Sequence, residues 1–230
     1  MESLEAQVKD RTAELADARS EVLFLLARTA EYRDDESGRH AQRVGLLSSL
    51  IASELGVNHR GVDRVRRIAP LHDIGKIAVP DAVLRKPDRL TTSEFELMKA
   101  HTVVGAALLG SSPHNLMRAA AEIARSHHER WDGSGYPDGL SGAAIPPNAR
   151  IVALADVFDT LTHPRPYKDA FSPERARNLI TAERGRHFDP EVVDAFFSIL
   201  GRTRPGELMA LSDPVDPFAD RAMFGGSARD

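Results

Sequence analysis

The sequence predicts an all-α fold, and three observations carry that prediction. Residues 1–30 hold neither Gly nor Pro. Helix start and stop signals recur along the rest of the chain. No stretch sustains the apolar–polar alternation of a strand.

The first thirty residues read as one long helix. Val8, Leu15 and Val22 share one heptad position, and Leu4, Arg11, Ala18 and Leu25 share another. Val at one seam position and Leu at the other favour a parallel dimer, with Arg11 interrupting the seam. An amphipathic helix packed on its own domain fits the same residues. Further helices are expected over about 37–56, ending near Gly56, and from an Asn58 cap to "DIGK" at 73–76. "VPDAVLRKPDRL" (79–90) reads as a proline-broken loop. Thr91 or Thr92 caps the next helix, which runs to about Leu109, and Ser112 or Pro113 starts another that ends at His127 and His128. "WDGSGYPDGLSGAAIPPN" is a long Gly/Pro-rich loop, and helix resumes at 149–162. "SPE" (172–174) and "DPE" (189–191) each pair an N-cap residue with Pro at the first helical position. The expected organisation is therefore a helix or linker at 1–30, a helical domain at 31–202 and an irregular tail at 203–230.

The 230 residues suit one medium domain with extensions. A net charge of −4 gives no overall basic field, so a DNA or RNA polymer is not expected as a partner. The absence of Cys removes disulfides and thiolate metal sites, leaving imidazole and carboxylate as ligands. No secretory signal is evident, and the apolar runs are far short of a membrane span. A cytoplasmic protein is the simplest expectation.

Histidines and carboxylates form the pattern that points to chemistry. Glu36 and His40 stand four apart, on one helix face. His72 and Asp73 are adjacent, so on a helix their side chains diverge by roughly 100° and could reach different metals. Lys76 follows one turn beyond His72, among Leu71, Ile74 and Ile77, which are expected to be buried. His101 stands alone on its helix, and His127–His128 close another. Asp156 lies in the apolar run "IVALADVF". A buried carboxylate needs a partner, either a cation or an arginine such as Arg150 or Arg165. Each residue alone has an ordinary explanation, and Glu36 could simply favour a helix start. The joint pattern is what suggests a metal centre.

These residues resemble the HD-GYP family, a branch of the HD metal-dependent phosphohydrolases. The likeness covers about residues 30–200. It includes "HDIGKIAVPDAVLRKPDRLT", "MKAHTVVG", "HHERWDGSGYPDGLSG", "ARIVALADVFDTLT", "RPYK" and "HFDP", with Gly135-Tyr136-Pro137 intact. Ser37, where Thr is more usual, and His163-Pro164 before Arg165 are small departures. The resemblance implies an HD-domain helical bundle with a central metal site. It implies a bacterial phosphodiesterase that hydrolyses cyclic di-GMP to linear pGpG, and in many members on to GMP, by metal-activated hydroxide attack on phosphorus. Glu36, His40, His72, Asp73, His101, His127, His128 and Asp156 would hold two or three divalent ions, usually iron or manganese. Lys76 would stand beside the leaving oxygen, and Arg165 and Lys168 would hold substrate phosphates. The implied partners are cyclic di-GMP, a second copy through the N-terminal helix, an upstream receiver or sensory domain and GGDEF-type signalling proteins. Another cyclic dinucleotide, or a non-catalytic sensing module, is the alternative.

Such chemistry suits these residues. Two metals acidify a shared water, neutralise phosphate charge and align the attack. Asp73 could span both ions, and a lysine can stabilise or protonate the departing oxygen. Zinc also accepts imidazole and carboxylate. Tyr136 and Trp131 could stack on a base or pin their loop to the domain. His187 precedes a helix cap and is assigned to that turn, while His59, His114 and His163 are given ordinary structural roles.

Overall fold

A computed structural model describes residues 4–34, 39–164 and 169–202. Nine α-helices form among them: α1 (Leu4–Glu31), α2 (His40–Glu54), α3 (His59–Ile68), α4 (Asp81–Leu84), α5 (Thr92–Gly110), α6 (Asn115–Ser126), α7 (Pro147–Thr162), α8 (Pro173–Ala182) and α9 (Pro190–Arg202). No strand forms among the described residues, apart from one isolated bridge between Arg184 and Phe188. The all-α expectation is borne out.

Local chemistry explains most boundaries. The Asn58 side chain accepts from Gly61 N–H and opens α3. Thr91 and Glu94 form a reciprocal capping box at α5, satisfying two otherwise orphaned donors. Ser172 caps α8 with Pro173 at its first position, and Asp189 accepts from Glu191 N–H where α9 begins.

Three expectations need correction. No single helix runs from Asn58 to Lys76. The α3 helix stops at Ile68, and two 3₁₀ turns follow, Ala69–Leu71 and Ile74–Ala78. Pro70 has no N–H to continue an α-helical ladder, which accounts for the break. The second correction concerns burial. Leu71 is fully buried, but Ile74 is only partly covered and Ile77 is 56% exposed. Thirdly, the proline-broken loop at 79–90 contains the short helix α4.

The core lies where α2 meets α3, α7 and α9, while α5 and α6 pack side by side and α6 reaches α7. Ile51, Ile68, Leu71, Ile123, Leu154 and Phe196 are fully buried there, and Phe158 meets Phe196 edge-on at 4.8 Å. Each such side chain contributes about 1.5–3 kcal/mol on burial, as an upper estimate. The C-terminal part of α1 joins this body through Ala27 and Ala30, which are buried. Leu4, Val8, Leu15, Val22 and Leu25 remain exposed. No described helix is long and apolar enough to cross a membrane.

Candidate metal centre

Five separate segments converge on one point. His40 is the first residue of α2, and His72 and Asp73 lie between the two 3₁₀ turns. His101 is in mid-α5, His127 caps α6 with His128 beside it, and Asp156 is in mid-α7. The potential ligand atoms form two groups. His40, His72 and Asp156 make one; Asp73, His101, His127 and His128 make the other. Within each group all the atoms lie within 4.8 Å of one another.

Asp73 joins the two groups. Its Oδ1 lies 3.3 Å from His101 Nε2 and 3.6 Å from His127 Nε2. Its Oδ2 lies 3.3 Å from His72 Nε2 and 2.8 Å from Lys76 Nζ. Asp156 Oδ1 lies 3.2 Å from His40 Nε2 and 4.0 Å from His72 Nε2. The 3₁₀ geometry, rather than an α-helical turn, brings Lys76 onto Asp73.

The turn reaches this position because Gly75 presses against α5. A Cβ at residue 75 would overlap the His101 carbonyl oxygen and stand 2.5 Å from Gly105 N. Only glycine allows that approach.

The histidines are oriented as metal ligands require. His72 Nδ1 donates to Ala69 O at 3.0 Å, His101 Nδ1 to Met98 O at 2.7 Å, and His127 Nδ1 to Ile123 O and Ala124 O at 3.1 Å. A carbonyl oxygen can only accept, so these Nδ1 atoms carry the protons. Each Nε2 therefore offers a lone pair to the cluster. His40 follows the same rule with a carboxylate, its Nδ1 lying 2.7 Å from Asp159 Oδ2. His72 Nε2 and Asp73 Oδ1 are buried without a hydrogen-bond partner. Buried polar atoms left this way are costly, and a divalent cation would satisfy both.

Electrostatics agree. Burial opposes the charged form of His40, but its hydrogen bonds to Asp156 and Asp159 outweigh that and raise its pKa well above the ordinary value. Burial also opposes ionisation of Asp73, yet the Lys76 ammonium and His72 hold its carboxyl well below the usual range. Asp156 is held low against burial by His40 and His72. Burial lowers His101 to about 4. His128 is held low by burial and by His127. The pocket thus pairs ionised carboxylates with two kinds of imidazole: burial keeps His101 and His128 neutral, while the carboxylates beside His40 and His72 raise their pKa values, so a divalent metal bound there would displace protons from these two.

A model of the HD domain matches residues 25–192. The chain belongs to the HD domain family. Among its relatives, it is 47% identical over 193 residues to the cyclic di-GMP phosphodiesterase response regulator RpfG of Xanthomonas campestris pv. campestris, covering 84% of this chain and 51% of the relative. It is 46% identical over 196 residues to a cyclic di-GMP phosphodiesterase of Thermotoga maritima, covering 85% and 53%. It is 42% identical over 181 residues to the 3'3'-cGAMP-specific phosphodiesterase 2 of Vibrio cholerae, covering 79% and 35%. The chain thus spans about half the length of the first two curated relatives. Among solved structures, the cyclic GMP-AMP specific phosphodiesterase V-cGAP3 of V. cholerae superposes with a TM-score of 0.62 at 20% identity, covering 84% of this chain and 51% of that one. That likeness concerns the fold. The expected resemblance to HD-GYP proteins is borne out.

The Gly-Tyr-Pro loop of this HD domain lies against the centre. Tyr136 N–H donates to His128 O at 3.2 Å, and the Tyr136 ring stacks on the His128 ring at 4.8 Å. Phe95 meets Tyr136 edge-on at 5.9 Å. Burial pushes the Tyr136 phenol up, so it stays neutral. Glu129, 2% exposed, accepts from Asp138 N–H at 2.7 Å and Leu140 N–H at 3.0 Å, which fixes the loop's return. In this arrangement Tyr136 packs on the domain.

The remaining residues divide plainly. Asp156 pairs with His40, while Arg150 pairs with Asp189 at 2.6 Å. The His187 ring stacks on Phe188 at 4.2 Å and stands outside both ligand groups. Glu36, Arg165 and Lys168 lie outside the described residues. Sequence reasoning missed Asp159 and Arg43. The Arg43 guanidinium donates to both Asp159 oxygens, from Nε at 2.6 Å and from Nη2 at 2.9 Å. The signal was available: Asp159 follows Asp156, and Arg43 follows His40, by three residues on one helix face.

Proposed function

We propose that this HD domain is a metal-dependent phosphodiesterase that hydrolyses cyclic di-GMP. The observation that carries the reading is Asp73, whose two oxygens face two separate groups of imidazole and carboxylate donors. That arrangement suits a carboxylate bridging two divalent ions, with His40, His72 and Asp156 on one side and His101, His127 and His128 on the other. Bound there, the ions would supply positive charge for the phosphate and acidify water for attack at phosphorus. Asp73 and Asp156 hold the charge balance, and the carbonyl-anchored histidines keep the pocket rigid. Lys76, 2.8 Å from Asp73, is suited to meet the departing sugar oxygen and give it a proton. Arg165 and Lys168, by resemblance, bind the substrate phosphates, and Glu36 adds a carboxylate for a third ion. Iron or manganese is the metal best suited to the donors and the resemblance, and the product is pGpG with further hydrolysis to GMP.

The names of the relatives support cyclic di-GMP as the substrate. A second reading keeps the chemistry and changes the nucleotide, because a relative at 42% identity is named as specific for 3'3'-cGAMP. A sensing module without turnover is disfavoured by the complete donor set. Residues 1–30 are proposed as a parallel dimeric linker from a receiver or sensory domain, 31–202 as the catalytic domain and 203–230 as a tail. The exposure of Val8, Leu15 and Val22 along one stripe supports the dimer. A cytoplasmic setting among GGDEF-type signalling proteins fits such a role.

The test is incubation of the protein, loaded anaerobically with Fe²⁺ or Mn²⁺, with cyclic di-GMP and 3'3'-cGAMP in parallel. Release of pGpG or GMP at the higher kcat/KM supports the first reading. Preferential cleavage of cGAMP supports the second, and cleavage of neither overturns both.

A further inference from the structure

Arg33 sits in the 3₁₀ turn Tyr32–Asp34, which continues α1. Its guanidinium grips a segment 43 to 48 residues further along the chain. Nη1 donates to Lys76 O at 2.8 Å and Ile77 O at 2.6 Å; Nη2 donates to Val79 O at 2.9 Å and Asp81 Oδ1 at 2.7 Å. The Arg33 carbonyl in turn accepts from Arg85 Nε at 2.8 Å. These acceptors exist because the turn Ile74–Ala78 ends there. Val79 is extended, so the helical ladder stops, and Lys76 O, which accepts from Val79 N–H, keeps a second lone pair for Arg33. A planar fork spreads its donors over two nitrogens and so reaches these three carbonyls and the Asp81 carboxylate together, four acceptors against the three protons that an ammonium holds on one nitrogen.

The gripped turn is the one that carries Asp73 and Lys76. Lys76 N–H donates to Asp73 O at 3.0 Å, and Val79 N–H donates back to Lys76 O at 3.0 Å. The close approach of Gly75 to α5 holds one side of this turn, and Arg33 holds the other.

We propose that Arg33 is a positioning residue that locks the Asp73–Lys76 turn to the end of α1, so that the helix and the metal-holding turn move as one body. This rests on the reading of Asp73 as a metal ligand and Lys76 as the group beside the leaving oxygen. Any displacement at the end of α1 then reaches Asp73 through backbone carbonyls rather than through loose side chains.

The test compares Arg33→Ala, Arg33→Lys and Asp81→Ala with the wild type, each in the whole 230-residue chain. Mn²⁺ affinity is read from the free-Mn²⁺ EPR signal, and cyclic di-GMP turnover is followed alongside it. Arg33→Ala is expected to weaken Mn²⁺ binding about tenfold or more, as supporting-residue losses do. It should lower kcat comparably, with KM little changed. Arg33→Lys keeps the charge but not the fork and is expected to be equally impaired. Asp81→Ala, which removes only the exposed ion pair, should match the wild type. Millimolar guanidinium should partly restore Arg33→Ala. Wild-type Mn²⁺ affinity in Arg33→Lys, or an equal loss in Asp81→Ala, overturns the proposal. If Arg33→Ala does not fold, Arg33→Lys decides. If the wild type binds Mn²⁺ yet cleaves no cyclic di-GMP, the functional reading fails and the Mn²⁺ measurements still decide the role of Arg33.

Discussion

Asp159 Oδ2 lies 2.7 Å from Nδ1 of His40, with both residues almost wholly buried. The contact fixes the imidazole so that Nε2 faces Asp156 and the metal centre. Arg43 neutralises the same carboxylate. Replacing Asp159 with Asn should keep the volume but weaken the hold on His40, lowering metal affinity by about 10- to 100-fold. Asp159→Ala should cost about 3–5 kcal/mol of stability as well, because it leaves the Arg43 charge buried and unpaired. Metal titration separates the first effect, and urea denaturation the second.

Lys76 gives a cleaner catalytic prediction. Lys76→Ala removes the cation beside Asp73 but none of the proposed ligands. Turnover of cyclic di-GMP should fall by about 10²- to 10⁴-fold, while elemental analysis still finds a wild-type metal content. Loss of metal in parallel with activity would instead assign Lys76 to holding Asp73.

Gly75 tests the packing that places the turn. Gly75→Ala drives a methyl group into the His101 carbonyl and the Gly105 amide, which are backbone atoms that cannot swing aside. A stability loss of about 1–3 kcal/mol or more is expected, together with impaired metal binding. Thermal unfolding and Mn²⁺ titration of the variant check both. A wild-type melting temperature would show that the turn is more yielding than its contacts imply.

His187 sets a pH dependence outside the centre. Burial, helped by nearby Arg130, lowers its pKa to about 4 from the ordinary 6.5. Between those values the unfolded chain binds the proton and the folded chain does not, so stability rises with pH across this window. As pH falls from about 6.5 towards 4, this residue should remove up to about 3 kcal/mol of stability. His187→Gln should flatten the pH dependence of urea-denaturation midpoints over that range. An unchanged slope would place the effect on other histidines.

The sequence made the helices legible wherever capping chemistry is local. Asn58, Thr91, Ser172 and Asp189 each start a helix where their type and spacing indicate. The cluster of candidate donors was legible because residues on four helices and one turn share an uncommon composition. The geometry of 70–78 was not. A helical pattern of Leu71, Ile74 and Ile77 competes there with the missing N–H of Pro70 and with a backbone contact between Gly75 and His101, which is distant in sequence. Asp159 and Arg43 escaped for a different reason. Their three-residue spacing from Asp156 and His40 marked the shared helix faces, but only the fold shows that Asp159 and Arg43 are buried against each other. The reach of Arg33 to Val79 likewise depends on tertiary placement.

The most direct measurement is anomalous X-ray scattering from crystals of the protein loaded with Mn²⁺. Two strong peaks are expected about 3.5–4 Å apart, one on each side of Asp73, the first against His40, His72 and Asp156 and the second against His101, His127 and His128. A single peak that leaves one group of donors bare, or two peaks without Asp73 between them, would contradict the bridged centre.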